Sequence, residues 1–387
     1  MSRPGVLFVV NSLAFGGAEK QVVTLLNHLD PKTFRLHLVY LKRSDALLPQ
    51  LRPGILEDIV CCDAGRGLDA GAIGRLRTLI AARHIDAIVC TNSYSMLYGH
   101  LARGRRNDVR LATVFHTTLL KRWKEKAQML LYRRLYNRCD LLVYVCESQR
   151  RYWRDHGLRP AADEVIYNGI ETDRYTDRRP AEQRQALRRS LGFEDRDYVI
   201  GLCSTLRLEK APADLLAAIA ELRSQGIRAK ALLIGDGPER QGLERMATQL
   251  HVREHMVITG MKEDVRPFIG ACDVMTLVSH SETFSLAALE SMSLGKALVM
   301  SDVGGAREQI VHGMHGLIFE PGNVAALTMC LTRLTSERLR ALLGQAAARR
   351  VRERFTVEAM ASRFTDSLHG LLEESARPQK QPVTLRP

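Results

Sequence analysis

Long apolar runs are absent from this sequence of 387 residues. No stretch of 18 or more apolar residues occurs, so a membrane-spanning helix is not expected. The opening residues Met1-Ser2-Arg3-Pro4 lead directly into a strand-like run at residues 6–10, without the apolar core of a signal peptide. We therefore expect the protein to lie in the cytoplasm.

Patterns that bind metals or form disulfides are also scarce. None of the eight cysteines belongs to a C-x-x-C pair. Six lie in or beside apolar segments, which predicts reduced core residues: Cys61, Cys62, Cys90, Cys146, Cys203 and Cys272. No H-E-x-x-H occurs, and His312-x-x-His315 is predicted to belong to a loop. Asp195-Arg-Asp197 is formally a D-x-D, but it precedes a strand, so we interpret it as a turn and predict no metal site.

Positive charge is abundant and uneven. The formal net charge is +13, and residues 103–155 hold 14 Lys and Arg against 5 Asp and Glu. Part of the surface should therefore attract an anionic partner such as a membrane headgroup layer, a phosphorylated acceptor or nucleic acid.

The chain is long enough for two hydrophobic cores. Short β-branched runs alternate with helical stretches, which predicts a doubly wound α/β fold in two tandem units. Strands are predicted at residues 6–11, 35–42, 59–62, 87–91, 111–116, 141–146 and 164–167, and then at 198–204, 229–234, 256–260, 273–279 and 297–301.

The polar stretch before residue 198 sets the predicted boundaries. We expect a first domain at residues 1–175, a linker at 176–197 and a second domain at 198–355. A C-terminal helix at 356–373 is expected to pack back toward the first domain, followed by a disordered tail at 374–387.

One segment of the second half combines carboxylates with a helix start. After the strand at 273–279, a loop enters a helix near Ser285, so the amides of Phe284, Ser285 and Leu286 would form an anion site. Glu282 lies in the loop and Glu290 in the helix. Their spacing suits the two ends of a diphosphosugar, but it also suits one Glu at a helix dipole and another on a solvated face.

The whole string from Glu282-x7-Glu290 through Gly304-Gly305-Ala-Arg-Glu308 to residues 312–319 resembles the C-terminal domain of glycosyltransferase family four. Further matching strings are Gly16-Gly17-Ala18-Glu19, Tyr167-Asn168-Gly169-Ile170-Glu171 and Leu233-Ile-Gly235-Asp-Gly237-Pro-Glu239. The resemblance covers all but the tail. It implies the GT-B fold, in which two Rossmann-like domains face each other across a cleft, and a retaining, metal-independent sugar transfer.

The resemblance also implies roles for individual residues. Glu290 would bind the donor ribose, and Glu282 would hold sugar hydroxyls near the reacting carbon. Phe284, Ser285 and Leu286 would offer amides to phosphate or sugar, and Gly235 would line the donor site.

A basic pair is expected to neutralise the diphosphate leaving group. Arg207 and Lys210 are the candidates, although Thr205 stands where the family commonly has Arg, and Ala211 where it has Gly. Both could instead be ordinary surface charges.

In the first half, Gly16 and Gly17 permit close backbone approach to a ligand. The loop lacks G-x-G-x-x-G, and the second strand lacks the acidic residue that binds an NAD ribose, so a dinucleotide site is not predicted. The resemblance makes it a loop facing the acceptor and the donor phosphates. His116 ends a strand, where open α/β sheets form their sites. A lone His is more often structural, but the resemblance places one here beside the donor sugar.

Retention without a metal suggests front-side displacement with no protein nucleophile. Glu282, His116, Arg207 and Lys210 would then act as positioning and electrostatic groups. The nucleoside diphosphate sugar is a co-substrate and no cofactor is expected. UDP is favoured over GDP.

Residues 121–138, from Lys121 to Arg138, predict a basic amphipathic helix. It could lie on an anionic bilayer, with a lipid-linked or glycan acceptor of cell-surface polysaccharide or lipopolysaccharide synthesis. It could equally be a domain helix with a solvated basic face. Nucleic acid is not the favoured partner.

Three other functions remain open. A nucleotide-sugar epimerase would need no acceptor, and a phosphorylase using pyridoxal phosphate would need a cofactor lysine. A non-catalytic, basic surface-binding protein could keep the same fold. The departures at Thr205 and Ala211 keep that alternative open, and four retained residues argue against it: Glu282, Glu290, Lys210 and His116.

Overall fold

The computed structural model describes residues 3–65, 67–106, 108–117, 123–176 and 179–376, with only the backbone for 123–126 and 374–376. The chain divides into two compact units. The first comprises Met1–Val145, Arg150–Ile166 and Glu358–Pro387, and the second comprises Cys146–Gln149 and Tyr167–Val357. Within the described residues, no helix is both long enough and apolar enough to cross a membrane.

The first unit is built on a seven-stranded parallel sheet. Its strands are β1 (Gly5–Val10), β2 (Arg35–Tyr40), β3 (Asp58–Cys61), β4 (Ile85–Thr91), β5 (Arg110–Phe115), β6 (Leu141–Tyr144) and β7 (Ala162–Val165). Their order is β3-β2-β1-β4-β5-β6-β7. The helices that follow these strands are α1 (Gly17–Leu26), α2 (Ala70–Ala82), α3 (Asn92–Arg103), α4 (Trp123–Tyr136) and α5 (Glu147–Asp155). All six residues of β1 are buried, because a central parallel strand is covered on both faces.

The second unit repeats the plan with six parallel strands. They are β8 (Tyr198–Cys203), β9 (Ala229–Ile234), β10 (Met256–Ile258), β11 (Val274–Leu277), β12 (Ala297–Ser301) and β13 (Leu317–Phe319), in the order β10-β9-β8-β11-β12-β13. The helices are α6 (Ala181–Ser190), α7 (Pro212–Ser224), α8 (Arg240–Gln249), α9 (Arg266–Ala271), α10 (Leu286–Ser293), α11 (Ala306–Gln309), α12 (Val324–Arg333) and α13 (Glu337–Arg354). The last helix of the described residues is α14 (Val357–Ala376).

The structure differs from several predicted segments, and the first unit gives way to the second after Ile166, whereas the sequence predicts a boundary at residue 175. The predicted linker at 176–197 lies inside the second unit and contains α6. None of the residues of α6 is buried, so the polar composition of this stretch is that of a surface helix. Arg188 fixes this helix by donating to the Ala271 carbonyl and to the Asp273 carboxylate, both at 3.1 Å. Strand β7 begins two residues before its predicted start, and β13 was not predicted because three residues show no periodicity.

The end of the chain groups with the first unit from Glu358 onward. The ring of His369 contacts that of Phe34, with centroids 5.1 Å apart. The tail prediction for residues 377–387 lies outside the described residues, as do the side chains of 374–376.

Candidate active site

The strand order places a topological switch point in each unit. In the second unit it lies between β8 and β11, because β9 and β10 extend the sheet on one side of β8, and β11 to β13 extend it on the other. Open α/β sheets bind ligands at the carboxyl ends of the strands at such a point. The loop after β8 contains Arg207 and Lys210, and the loop after β11 contains Glu282.

Lys210 and Glu282 form an ion pair across this switch point through Nζ and Oε2. The two loops are also tied by the His280 amide, which donates to the Glu209 carbonyl at 2.9 Å. Both charged side chains are partly buried, so the pair is screened less than a surface pair. The structure thus brings together two of the residues predicted to act on the donor.

Arg207 lies apart from that pair. Its side chain is 60% exposed and its nearest carboxylate is that of Glu209, at 3.9 Å. The cation that the structure places beside Glu282 is therefore Lys210. Arg207 is therefore a surface charge in this structure, which is the alternative that the sequence left open.

Two glycines let the loops of this edge approach each other. Gly235 has φ of +144°, and a Cβ atom there would lie 2.0 Å from the Ser204 carbonyl oxygen. Gly304 has φ of +52°, and its Cβ atom would lie 2.1 Å from the carbonyl oxygen of Glu282. Both positions therefore require glycine. Gly235 packs against the backbone of the loop after β8, and its place in the lining of the donor site stays a prediction.

The start of α10 is organised by Ser285. Its hydroxyl accepts a hydrogen bond from the Ala288 amide at 3.3 Å. Its own backbone N–H donates to Gln309 Oε1 at 3.2 Å, and Gln309 Nε2 donates to its carbonyl at 2.8 Å. The prediction that the Ser285 amide points outward at an anion is therefore wrong for this structure. The Leu286 amide belongs to the first turn, where no intrahelical acceptor exists.

The side chain of Phe284 is buried and packs within an aromatic cluster. Its ring centroid lies 5.3 Å from that of Tyr167 and 5.5 Å from that of Phe355. Tyr167 donates to the Glu308 carboxylate at 3.0 Å. This carboxylate also accepts the Glu147 and Ser148 amides at the start of α5, both at 2.8 Å. Glu308 therefore fixes the start of α5 and the Tyr167 ring that packs against Phe284.

Glu290 is buried on α10, with 5% of its surface exposed. Tyr175 donates its phenolic O–H to Glu290 Oε1 at 2.8 Å. A carboxylate in such a position must be hydrogen-bonded to remain charged. The solvated-face interpretation of Glu290 is therefore wrong. Tyr175 was not predicted, because nothing in its local sequence links it to a residue 115 positions later.

In the first unit, the switch point lies between β1 and β4. Gly16 is the N-cap of α1, and Gly17 is the first residue of that helix. The carboxylate of Glu19 folds back over this helix start, since a Cβ on Gly16 would lie 2.3 Å from Glu19 Oε2. Burial raises the pKa of Glu19. A carboxylate therefore occupies part of the surface where the resemblance implies phosphates.

His116 follows β5 at the same edge of the first sheet. Its amide donates to Asn92 Oδ1 at 2.8 Å, and Trp153 Nε1 donates to the Thr117 carbonyl at 2.7 Å. The residue as a whole is half-buried, but desolvation of the ring lowers the pKa of His116 to about 4. The imidazole is therefore neutral at pH 7 and can offer a hydrogen bond without a positive charge.

The other metal-like patterns have structural partners. The Asp197 carboxylate binds Lys230 and Arg228, each at 3.1 Å, beside a turn at the amino end of β8. His312 Nδ1 accepts the Ile318 amide at 3.0 Å. His315 Nδ1 accepts the Val311 amide at 3.2 Å, which fixes the loop between them. All eight cysteines are free thiols, with Cys61 and Cys203 partly exposed and the rest buried.

Comparisons with known proteins agree with this geometry. Residues 183–350 match the model of glycosyl transferases group 1, and residues 15–174 match that of glycosyltransferase family 4. The N-acetyl-alpha-D-glucosaminyl L-malate synthase of Bacillus anthracis is 27% identical over 219 residues, which is 56% of this chain and 56% of that protein. The chain spans about half the length of the first curated relatives that it matches.

Two further relatives extend the comparison. The GDP-mannose-dependent monoacylated alpha-(1-6)-phosphatidylinositol monomannoside mannosyltransferase of Corynebacterium glutamicum is 27% identical over 247 residues, covering 61% of this chain and 64% of that protein. The crystal structure of Anabaena HepE in complex with UDP-glucose has a TM-score of 0.83 at 22% identity, covering 95% of this chain and 99% of that chain.

Two Rossmann-like units with this likeness define a GT-B fold, as predicted. The two family models together span most of the sequence. The chain belongs to the glycosyltransferases of group 1 and family 4.

Proposed function

We propose that this protein is a retaining, metal-independent hexosyltransferase. Its donor is a nucleoside diphosphate sugar, with UDP favoured over GDP, and its acceptor is a glycan or a lipid-linked molecule of cell-surface polysaccharide or lipopolysaccharide synthesis. The observation that carries the proposal is the Lys210–Glu282 pair at the switch point, with the buried carboxylate of Glu290 on the adjoining helix.

The charges of the second unit match the parts of such a donor. Lys210 supplies a cation for the diphosphate, whose negative charge grows as the glycosidic bond breaks. Glu282 accepts hydrogen bonds from sugar hydroxyls, and Glu290 accepts them from ribose. Leu286 contributes a first-turn amide. The HepE crystal structure is a complex with UDP-glucose, whereas the name of the Corynebacterium relative specifies GDP-mannose.

The proposed reaction is a front-side displacement. The bond between C1 and the phosphate oxygen breaks, and the acceptor oxygen forms its bond to C1 on the same face. The acceptor proton passes to the departing phosphate oxygen, so no protein nucleophile is required. Neutral His116 is assigned a polar contact with the transferred sugar, and Lys210 stabilises the leaving group.

Calorimetric titration with UDP, GDP and ADP tests the donor assignment. We expect one nucleotide to bind at least about ten-fold more tightly than the others. Glu290→Gln should weaken that binding by about ten-fold or more, since a hydrogen bond to a charged group contributes about 1.5–3 kcal/mol. The matched control is Glu254→Gln, an exposed glutamate of the same unit. Failure of all three nucleotides to bind would contradict the proposal and favour the non-catalytic alternative.

A membrane-associated acceptor is supported by α4. This helix buries Met129, Tyr132 and Tyr136 in the core of the first unit. Leu130 and Leu131 are 62% and 67% exposed. Exposed arginines at 133 and 134 follow them. Apolar side chains beside cations suit the interface of an anionic bilayer. The preceding residues 118–122 lie outside the described residues.

Vesicle co-sedimentation measures this association. The double variant Leu130→Ser, Leu131→Ser should bind vesicles of phosphatidylglycerol and phosphatidylcholine about ten-fold more weakly than the wild type, because buried apolar surface contributes about 25 cal/mol per Å². Leu342→Ser removes a similarly exposed leucine from the second unit and should leave binding unchanged. Equal binding by the wild type and the double variant would remove α4 from the membrane proposal.

A further inference from the structure

Tyr175 occupies a fixed position in the segment that precedes α6. The Tyr175 amide donates to the Glu171 carbonyl at 3.2 Å, and the Arg174 amide donates to the same oxygen at 3.0 Å. Arg266 fixes the turn from outside by donating to the Arg174 carbonyl at 2.9 Å. The backbone of Tyr175 is therefore held by hydrogen bonds that do not involve the proposed donor site.

The phenol reaches a carboxylate on a different element of the same unit. Its O–H donates to Glu290 Oε1 at 2.8 Å, and both residues are buried, with 7% of Tyr175 and 5% of Glu290 exposed. A phenol carries no charge at neutral pH, so it solvates the carboxylate without cancelling its negative charge. A lysine or arginine in its place would neutralise the carboxylate and compete with a ligand hydroxyl.

We propose that Tyr175 is a positioning residue that fixes the orientation of the Glu290 carboxylate for a ribose diol. The inference rests on the proposed function, in which Glu290 binds the donor ribose. An ionised carboxylate is acceptor-only, so its ligand must present O–H or N–H donors, and two adjacent hydroxyls match its two oxygens. Because the phenol holds Oε1, the plane of the carboxylate is fixed, and its lone pairs point in defined directions toward the ribose hydroxyls. The site therefore selects ribonucleotides over deoxyribonucleotides.

The torsion that turns a glutamate carboxylate is broad, so packing alone does not orient it. Tyr175→Phe removes only the hydroxyl and keeps the ring. The carboxylate then loses the hydrogen bond that fixes Oε1, and the acceptor for the diol is less preorganised. Affinity for a ligand that uses the diol should fall more than affinity for one that lacks it.

The experiment is calorimetry at 15 °C on the full chain with UDP, 2′-deoxy-UDP and 3′-deoxy-UDP. We expect the wild type to prefer UDP over each deoxy analogue by about ten-fold, the effect of one hydrogen bond to a charged group. Tyr175→Phe should weaken UDP binding by about five- to ten-fold and reduce that preference to about two-fold. In a Glu290→Gln background, Tyr175→Phe should have no further effect, because the two residues act as one unit.

Tyr198→Phe is the matched control. Tyr198 is another buried tyrosine of the second unit, and its O–H donates to the Leu331 carbonyl at 3.0 Å. Its substitution should lower the melting temperature by a similar amount and leave the preference for UDP intact. The proposal is overturned if Tyr175→Phe keeps the wild-type preference while its melting temperature falls like that of the control. If the wild type binds none of these uridine nucleotides, the assignment of UDP to the proposed donor site fails, which is a different outcome from a Tyr175→Phe variant that keeps the preference.

Discussion

Turnover by a Glu282→Gln variant is expected to fall by about 10²–10³-fold, while its affinity for UDP changes by less than about three-fold. Glu282 is proposed to contact sugar hydroxyls near the reacting carbon, where charge develops only as the glycosidic bond breaks. An interaction of that kind lowers the barrier without tightening the ground-state complex. The rate of UDP release from a UDP-sugar by water provides the measurement, since it needs no acceptor.

The ion pair between Lys210 and Glu282 allows a second test, in which both residues are substituted. Each single substitution leaves the other charge without its partner, so Glu282→Gln and Lys210→Met should cost less together than the product of their separate effects. Glu209→Gln removes a partly exposed carboxylate from the loop that contains Lys210 and should leave the rate unchanged. Wild-type turnover by Glu282→Gln would exclude this glutamate from the mechanism.

A Gly304→Ala substitution should lower the free energy of unfolding by about 2–4 kcal/mol and remove measurable transfer. The φ of +52° disfavours any residue with a side chain, and the added Cβ would lie 2.1 Å from the Glu282 carbonyl oxygen and 2.6 Å from that of Thr283. These are backbone atoms, so relief requires the Glu282 loop to move. Chemical denaturation and UDP release measure the two effects.

Gly226→Ala separates backbone strain from collision. Gly226 has φ of +81°, but a Cβ atom there would have nothing within 4 Å. Its substitution should cost only about 1 kcal/mol and leave turnover intact. If the two variants lose equal stability and both keep activity, the close approach of Gly304 to the Glu282 loop has no functional role.

The fold could be predicted well because its strands are buried. Runs such as residues 198–203 and 297–301 are almost wholly apolar, and they alternate with helical periodicity. Tandem repetition of that pattern indicated two Rossmann-like units. The boundary was less accurate, because the composition of α6 is that of a solvated helix and of a linker alike. The three residues of β13 are too few to show a pattern.

Only some residues of the candidate site could be predicted from the sequence. Residues in one contiguous motif, such as Glu282 and Glu290, could be selected from the sequence. Their partners could not, since Tyr175 and Gln309 reach them from other elements through tertiary packing. The assignment of Arg207 rested on its charge and on its place near the position where the family commonly has Arg, and the structure shows its side chain 60% exposed. Which cation lies beside a carboxylate is decided by loop geometry, on which local sequence carries little information.

The short helix α11 fixes the start of α10. Gln309 bonds both the N–H and the C=O of Ser285, and Arg350 donates to the Gln309 carbonyl at 2.7 Å. The first turn of α10 is thus ordered before any donor arrives. Ordering a loop on binding commonly costs about 0.5–1.5 kcal/mol for each immobilised side chain. This part of the surface avoids that loss, so the free energy of donor contacts there would appear in the affinity almost undiminished.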